Sequence, residues 1–205
     1  MPSNHKPNFV EEKKLWRQGY DFVVGIDEAG RGPLAGPVVA AAVLVDKNSK
    51  INLAGINDSK KLTENQREKF FKILTDNKNI RWGVGIVPEK IIDKINILEA
   101  TKLAMTGALE DLSCDFLLID GNAKIYCATP QKTIIAGDSK VFSIAAAGII
   151  AKVTRDRIMQ KYHKKYPDYG FGIHKGYGTK AHFAAIKKFG PCPIHRKSFY
   201  PINLI

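Results

Sequence analysis

The apolar and polar positions of this chain predict several strands that end in acidic residues. Residues 22–27 and 37–45 are apolar runs, and the glycine-rich turn between them predicts that they form a hairpin. Three further runs predict strands at residues 81–87, 116–119 and 133–135. The first run is typical of a strand buried on both faces of a sheet, and the second is continuously apolar and enriched in β-branched residues.

Helical periodicity predicts four helices between and after these strands. They are expected over residues 63–77, 89–112, 143–166 and 180–189. Thr63 and Gln66 have the spacing of a capping box, and Asn96 is expected to break the second helix. The residues before position 22 form a polar leader for which no element is predicted. Strands followed by helices, after an antiparallel opening, predict an α/β domain with a mixed sheet.

A chain of 205 residues with 44% apolar residues predicts one globular domain over residues 1–205. We expect an α/β core over about residues 20–165 and a basic helical segment over about residues 166–205. No apolar stretch is long enough to span a bilayer and the N-terminus lacks the core of a signal peptide, so we expect a soluble, cytoplasmic protein. The three cysteines form no Cys-x-x-Cys pair, which argues against a disulfide framework and a thiolate zinc site.

Positive charge is concentrated at the end of the chain. Residues 152–205 hold 12 Lys and Arg residues against 2 Asp and Glu, and the whole chain has a formal net charge of +12. Because the excess spans predicted helices and loops alike, it favours a polyanion partner such as nucleic acid over an ordinary solvated surface. A non-catalytic nucleic-acid-binding module would also explain this charge. We expect the chain to act as a monomer with no membrane partner.

Three of the predicted strands end in carboxylates, at Asp27 and Glu28, at Asp120 and at Asp138. If these strands are neighbours in one sheet, the four negative charges meet at one edge and repel unless cations bind there. Oxygen ligands without nearby His or Cys favour Mg²⁺ or Mn²⁺, and two such ions would suit hydrolysis of a phosphodiester. The alternative is that Asp120 and Asp138 only form turns.

Asp27 and Glu28 present a geometric difficulty, because side chains alternate along a strand and adjacent residues face opposite sides. The two carboxylates can share a site only if the backbone bends immediately after Asp27. The glycine-rich turn that begins at Ala29 is well placed to provide this bend.

The motifs around these acids resemble those of type 2 ribonuclease H, or ribonuclease HII. The resemblance covers nearly the whole chain through residues 25–38 (GIDEAGRGPLAGPV), 58–62 (DSKKL), 119–121 (IDG), 137–138 (GD), 151–157 (AKVTRDR) and 174–179 (HKGYGT). Type 3 enzymes are similar, but they carry a long extra N-terminal domain and usually have Ser at the position of Ala29. The short leader and Ala29 make type 2 the better assignment.

The resemblance implies a ribonuclease H-like fold, with a mixed five-stranded sheet flanked by helices and a small helical C-terminal appendage. It implies an endonuclease that cuts on the 5′ side of ribonucleotides and leaves 3′-OH and 5′-phosphate ends. The implied substrates are RNA/DNA hybrids and single ribonucleotides embedded in duplex DNA. The catalytic, metal-binding acids of the family correspond to Asp27, Glu28, Asp120 and Asp138, which are expected to hold two Mn²⁺ or Mg²⁺ ions.

Recognition of a ribonucleotide must depend on its 2′-OH, and the resemblance assigns this contact to Gly30, Arg31 and Gly32. Glycines permit a close approach of the backbone, although they also serve simply to shape a turn. Tyr177 lies between two glycines, and the resemblance implies that it stacks on the sugar of the following deoxynucleotide. By composition alone, this tyrosine is as readily explained as a packing residue.

Four further residues are candidate phosphate contacts: Lys60, Ser143, Lys152 and Arg155. Lys152 and Arg155 are three positions apart and therefore share a helix face. Other basic residues are expected to follow the duplex backbone without sequence preference, namely Lys187, Lys188, Arg196 and Lys197. No metal-ligand pattern connects the later histidines, which are expected to be non-catalytic: His163, His174, His182 and His195.

A nucleotide-binding protein is a further alternative, because Gly25 and Gly30 are spaced as in a phosphate-binding loop. The pattern departs from that loop at both informative positions. Arg31 stands where Lys is needed, and Gly32 stands where Ser or Thr would hold Mg²⁺. The nuclease is therefore the favoured interpretation.

Overall fold

The computed structural model describes residues 6–49, 51 and 55–205. The strands are β1 (Val23–Ala29), β2 (Val38–Val45), β3 (Ile80–Val87), β4 (Phe116–Asp120) and β5 (Gln131–Ile134). The α-helices are α1 (Val10–Arg17), α2 (Glu64–Thr75), α3 (Glu89–Gly107), α4 (Phe142–Lys165), α5 (Phe171–His174) and α6 (Lys180–Phe189). Short 3₁₀ turns lie at Gly137–Ser139, Pro167–Tyr169 and Ile202–Leu204.

The five strands form one mixed sheet in the order β3-β2-β1-β4-β5. β2 runs antiparallel to both β1 and β3, whereas β4 runs parallel to both β1 and β5. The short connection between β1 and β2 suits a hairpin, while the parallel pair β1 and β4 needs the long crossover that β2, β3 and α3 supply. The predicted hairpin and mixed five-stranded sheet are confirmed.

Helices cover both faces of the sheet. Along β2, Val39 and Ala41 pack on the side of α4, while Val38 and Ala40 pack on the side of α3. All of β2 is buried, which explains its continuous apolar sequence. Helix α2 joins the α4 side through the fully buried Leu74. The prediction of a sheet flanked by helices is therefore confirmed.

Two predictions about the helices are confirmed by their hydrogen bonds. Thr63 Oγ1 accepts from the Gln66 N–H at 3.3 Å, and Gln66 Oε1 accepts from the Thr63 N–H at 2.9 Å, so the capping box of α2 is complete. Asn96 has a φ of 65° and kinks α3. Its Oδ1 accepts from the Leu98 N–H at 2.9 Å, which caps the second part of that helix.

The structure contains two α-helices that the sequence does not predict, the four-residue α5 and the longer α1. Helix α1 is the more informative of the two. Most of its residues are charged, so the apolar stripe that would identify it is short. The helix nevertheless buries Glu12, whose Oε1 accepts hydrogen bonds from the Ser143 N–H at 2.9 Å and the Ser143 hydroxyl at 2.8 Å. Ser143 lies in the first turn of α4, so this carboxylate satisfies donors at the positive end of that helix. Burial raises the pKa of Glu12.

We expect Glu12→Ala to lower the free energy of unfolding by about 2 kcal/mol, because two buried donors of Ser143 lose their acceptor. Urea denaturation followed by tryptophan fluorescence measures this loss. Glu11→Ala is the matched control, since Glu11 is partly exposed and pairs with Lys132 at the surface, a contact worth less than about 1 kcal/mol. Equal losses in the two variants would contradict the capping role of Glu12.

The predicted C-terminal helical part corresponds to α5, α6 and the tail that follows them. It packs on the segment after β1, where Leu34 and Ala35 share a core with Phe171 and Ile194. This packing places the C-terminal part beside the acidic end of β1. In the described part of the chain, no helix combines the length and the apolar character needed to cross a membrane.

Candidate active site

The parallel pairing of β1 and β4 brings two acids side by side. Ile26 pairs with Ile119 in this register, so Asp27 and Asp120 follow as the next residues on neighbouring strands. Ile26 and Ile119 belong to the core on the α3 side. Because side chains alternate along a strand, Asp27 and Asp120 both lie on the α4 face of the sheet.

A third acid reaches the same place from the turn after β5. Gly137 in this turn donates its N–H to Asp120 Oδ1 at 2.6 Å, and Ala136 before it has a left-handed φ of 54°. Asp138 follows directly in the chain. One carboxylate oxygen from each of Asp27, Asp120 and Asp138 lies within 4.8 Å of the other two. Three of the four predicted acids thus converge, although they are far apart in sequence.

A glycine of α4 makes room for the first of these carboxylates. A Cβ atom at Gly148 would overlap Oδ2 of Asp27, so a larger residue there would push the carboxylate away from Asp120. Nothing in the local sequence points to Gly148, because a glycine in an Ala-rich helix only lowers helix propensity. Its role becomes visible when the helix is packed on the sheet.

Burial and mutual repulsion make these carboxylates difficult to ionise together. Burial, followed by the charges of Glu28 and Asp120, raises the pKa of Asp27 well above its ordinary value. Burial and Asp120 also raise the pKa of Asp138, although Lys60 Nζ lies 3.1 Å from Asp138 Oδ2. Partial burial lowers the pKa of Lys60, but the carboxylates of Asp138, Asp27 and Asp58 together raise it above its ordinary value. A cation bound among these carboxylates would favour their ionised forms, because it would offset both burial and mutual repulsion.

Glu28 lies at the rim of this cluster. Strand β1 continues through Ala29, with Glu28 paired to Ala40, so the predicted bend immediately after Asp27 is wrong. Glu28 Oε1 accepts a hydrogen bond from Arg31 Nη1 at 3.3 Å, and burial raises the pKa of Glu28. Glu28 lines the same cavity as Asp27 and Asp120, from the position next to Asp27 on the strand.

A cavity of about 200 Å³ opens over the acids. Asp27, Glu28 and Asp120 line it together with six of the predicted substrate-binding residues: Gly30, Arg31, Gly32, Lys60, Lys152 and Tyr177. Lys152 Nζ lies 2.8 Å from Asp156 Oδ1, which holds this lysine at the cavity wall. The cavity therefore combines a negative floor with basic residues at its edge, as a site for a metal ion and a phosphate requires.

Gly30 and Gly32 have different roles in the turn that they share with Arg31, here called the glycine turn. Gly30 has a φ of +96°, and a Cβ atom there would collide with Nε of the buried Arg155. Gly32 has no left-handed φ, and its added Cβ would lie 3.8 Å from the ring of Tyr177. The fold therefore requires glycine at position 30, whereas position 32 borders open space in the cavity.

Tyr177 lies beside the glycine turn in the loop of residues 175–179, here called the tyrosine loop. Its side chain is 44% exposed, and the guanidinium carbon of Arg155 lies 6.0 Å from its ring centroid. The Leu34 N–H donates to the Gly176 carbonyl at 2.9 Å, which fastens the loop to the chain beyond the glycine turn. A half-exposed ring in this position is available to stack on a ligand.

Three predicted contacts with phosphates are wrong, because the residues are buried. Ser143 has no exposed surface and is bound to Glu12. Arg155 and Arg196 are also completely buried, and their guanidinium groups donate to backbone carbonyls. Sequence alone does not distinguish the buried arginines of a basic segment from the exposed ones.

The alternative of a phosphate-binding loop does not fit the backbone. Gly25 lies inside β1, and a Cβ atom there would collide with the backbone of Ser143 in α4. A glycine at this position serves the close packing of helix on strand. The segment between Gly25 and Gly30 is therefore strand for most of its length and cannot wrap around a phosphate.

Known proteins resemble this chain over most of its length. A family model described as Ribonuclease HII matches residues 24–202. Ribonuclease HII from Acetivibrio thermocellus is 57% identical over 192 residues, which are 93% of this chain and 74% of that protein. Ribonuclease HII from Chlamydia caviae is 53% identical over 198 residues, which are 96% of this chain and 92% of that protein.

The structural comparison agrees with these sequence matches. Ribonuclease H2 from Pyrococcus horikoshii OT3 is 30% identical and has a TM-score of 0.74, with 89% of this chain and 96% of that chain covered. Residues 24–202, which the family model matches, include the three converging aspartates and all of the sheet except Val23. The chain therefore belongs to the ribonuclease HII family, a family of endoribonucleases.

Proposed function

We propose that the protein is a metal-dependent endoribonuclease that cuts on the 5′ side of ribonucleotides and leaves 3′-OH and 5′-phosphate ends. Its substrates are RNA/DNA hybrids and single ribonucleotides embedded in duplex DNA. The observation that carries this proposal is the convergence of Asp27, Asp120 and Asp138 within 4.8 Å, next to a cavity that Asp27, Asp120 and Tyr177 line. Membership in an endoribonuclease family argues against the alternative of a non-catalytic binding module.

The cluster has the chemistry of a site for Mg²⁺ or Mn²⁺. Its donors are carboxylate oxygens, and no His or Cys is present among the described residues that line the cavity. Asp27, Asp120 and Asp138 would hold the metal, with Glu28 completing the set from the rim. A divalent ion bound by these residues supplies an activated water and stabilises the leaving oxygen of the phosphodiester, and two ions suit this chemistry best.

The other cavity residues have separate tasks in this proposal. The glycine turn approaches the ribose and reads its 2′-OH, since a site without a Cβ at Gly32 admits the sugar close to the backbone. Tyr177 stacks on the sugar of the following deoxynucleotide. Lys60 and Lys152 neutralise phosphates next to the cleaved bond, while Asp138 keeps Lys60 over the acids before substrate binds.

The basic C-terminal residues give the protein its affinity for duplexes in this proposal. Seven lysines are exposed on α4, on α6 and in the tail: Lys161, Lys164, Lys165, Lys180, Lys187, Lys188 and Lys197. Contacts of this kind depend on charge rather than on sequence. Binding therefore weakens as the salt concentration rises, because the release of counterions from the duplex becomes less favourable. The protein would act as a monomer, with one α/β domain that binds nucleic acid in the cytoplasm.

The test is a DNA duplex with one ribonucleotide, incubated with Mg²⁺ or Mn²⁺ and, separately, with the metal and excess chelator. We expect a single cut 5′ to the ribonucleotide with either metal and no cut with chelator. A labelled duplex of the same sequence without the ribonucleotide is the control and should remain intact. No cut under any metal condition, or a cut that persists in chelator, would overturn the proposal.

A further inference from the structure

The C-terminal tail passes beneath both elements that surround the ribose in the proposed function. Here the chain makes a short antiparallel bridge in which Ala35 faces His195. The Gly36 N–H donates to the Ile194 carbonyl at 2.9 Å, and the Arg196 N–H donates to the Leu34 carbonyl at 2.8 Å. Two neighbouring residues, His195 and Arg196, are thereby fixed just below the cavity.

Arg196 uses its whole guanidinium group to hold the glycine turn. Its Nη2 donates to the Gly30 carbonyl at 2.6 Å, its Nη1 to the Arg31 carbonyl at 2.9 Å, and its Nε to the Gly36 carbonyl at 3.0 Å. The planar guanidinium group presents these donors in a fixed geometry. Arg196 therefore determines the orientation of two successive peptide groups of the glycine turn.

The orientation of these two peptide groups also fixes the N–H groups that point in the opposite direction. In a trans peptide, the carbonyl of one residue and the N–H of the next are rigidly opposed in one plane. By holding the carbonyls of Gly30 and Arg31, Arg196 sets the directions of the Arg31 and Gly32 N–H groups. Neither N–H has a protein acceptor in the described part of the chain, so both are free to donate to a ligand.

The burial of Arg196 without a counter-ion is costly. It has no exposed surface, and neither Arg196 nor its neighbour Arg155 forms an ion pair within the described residues. Burial, followed by the charge of Arg155, lowers the pKa of Arg196 to about 9. Apolar residues of similar size would fill this space at a smaller cost in desolvation. The three hydrogen bonds from Arg196 to backbone carbonyl groups compensate for this cost of desolvation.

His195 reaches the other element through a second histidine. The Cys192 N–H donates to His195 Nδ1 at 2.8 Å, so the proton of a neutral His195 is on Nε2. His195 Nε2 lies 3.0 Å from His182 Nε2, which must accept that proton, and His182 Nδ1 then donates to the Tyr177 carbonyl at 2.9 Å. Burial lowers the pKa of both histidines, which favours the neutral forms that this chain of hydrogen bonds requires.

We propose that His195 and Arg196 are positioning residues that hold the glycine turn and the tyrosine loop in one fixed arrangement around the ribose. Arg196 acts on the glycine turn directly, and His195 acts on Tyr177 through His182. This inference rests on the proposed function, because it concerns how that site recognises a ribonucleotide. Neither residue touches the reacting phosphate; both act on the residues that contact the sugar.

The first test compares His195→Gln with His195→Asn. The amide of Gln is placed near imidazole Nε2 and can still donate to His182, whereas the amide of Asn is placed near Nδ1 and preserves only the contact with Cys192. We expect kcat/KM at a single embedded ribonucleotide to fall about 10-fold or more in His195→Asn and less than about 3-fold in His195→Gln. Affinity for an all-DNA duplex, set by the basic surface, should stay the same in both variants.

A double variant shows whether the effect passes through Tyr177. If His195 acts by positioning this tyrosine, His195→Asn adds little to the loss already caused by Tyr177→Ala. Additive losses, or equal activity of His195→Asn and His195→Gln, would overturn the proposal. The proposed function is tested separately, by cleavage with the wild-type protein and by its reduction in Tyr177→Ala. If these two results are as expected and the His195 variants are not, only the positioning role is contradicted.

Arg196→Lys provides the corresponding test for the glycine turn. Lysine keeps the charge but cannot present the fork that holds the carbonyls of Gly30, Arg31 and Gly36. We expect kcat at the embedded ribonucleotide to fall about 10- to 100-fold with little change in affinity for all-DNA duplex. Glu12→Ala, which is also destabilised, should retain its kcat below the melting temperature. Equal losses of kcat in Arg196→Lys and Glu12→Ala would show that Arg196 only stabilises the fold, which would overturn its positioning role. If Arg196→Lys does not fold, the comparison of His195→Gln with His195→Asn tests the proposal.

Discussion

Replacing Asp27 by Asn is expected to lower the rate of cleavage at an embedded ribonucleotide by at least about 10³-fold, because the cluster would lose a charged ligand of the proposed metal ion. Asn has nearly the same shape, so it fits over Gly148 and leaves the sheet intact. Single-turnover cleavage at saturating Mg²⁺ or Mn²⁺ measures the effect. Affinity for the uncut duplex should change little, since the surface lysines that supply it are not altered.

Although Asp27→Asn is expected to lose activity, we expect it to stabilise the metal-free protein. The pKa of Asp27 in the folded protein is raised above the value of about 3.9 expected in the unfolded chain. The folded protein therefore loses stability relative to Asp27→Asn as the pH rises from about 4 through the folded pKa. In chelator, we expect Asp27→Asn to be the more stable protein at pH 7 and the difference to disappear near pH 4. Urea denaturation at both pH values measures this.

Asp138→Asn is the control that separates charge repulsion from ion pairing. It should also abolish cleavage, but it removes the contact between Asp138 and Lys60 and therefore gains less stability than Asp27→Asn. Activity retained in either variant would contradict the assignment of these aspartates as metal ligands. A metal-free Asp27→Asn protein that is less stable than wild type at pH 7 would contradict the electrostatic account of the cluster.

Gly30→Ala is expected to lower the free energy of unfolding by about 3 kcal/mol or more. Alanine at this position has to adopt a left-handed φ, and its Cβ collides with the Arg155 guanidinium, which is itself fixed by three carbonyls. The collision also displaces the glycine turn, so cleavage should be lost at temperatures where the protein remains folded. Thermal unfolding and cleavage at an embedded ribonucleotide are the two measurements.

Gly32→Ala is the matched control for this substitution. An added Cβ at Gly32 meets the Tyr177 ring at 3.8 Å, an ordinary contact, so stability should change by less than about 1 kcal/mol. If the ribose approaches the backbone here, Gly32→Ala still loses cleavage activity. A variant that is both stable and fully active would show that Gly32 only shapes the turn.

Much of the fold was predictable from local patterns. The capping box at Thr63, the break at Asn96 and the last helix up to Phe189 agree with the structure, because each depends on residues close in sequence. Helix α1 was not predictable, since its burial depends on Glu12 meeting Ser143, 131 positions away. A helix of eight residues is also shorter than the window over which apolar periodicity identifies a helix.

The candidate site shows the same division between local and distant information. That carboxylates follow the strands is visible in the sequence, but the parallel register that places Asp27 beside Asp120 is not. Pairing of β1 with Ala40 also overturned the expected bend at Glu28, because hydrogen bonds to β2 keep the strand extended. Basic residues were the least predictable, since Arg155 and Lys152 lie on the same helix and only the lysine reaches the cavity.

Helix α4 also limits how this family can change during evolution. Along one face it makes room for Asp27 at Gly148, presents Lys152 to the cavity, fastens backbone carbonyls through Arg155 and packs Met159 against Gly36. The spacings of four, three and four residues keep all four positions on one side of the helix. One inserted or deleted residue among them would rotate the remainder by about 100° and misplace several at once. A change of helix length between Gly148 and Met159 would therefore disturb the acidic cluster and the packing around Gly36 together.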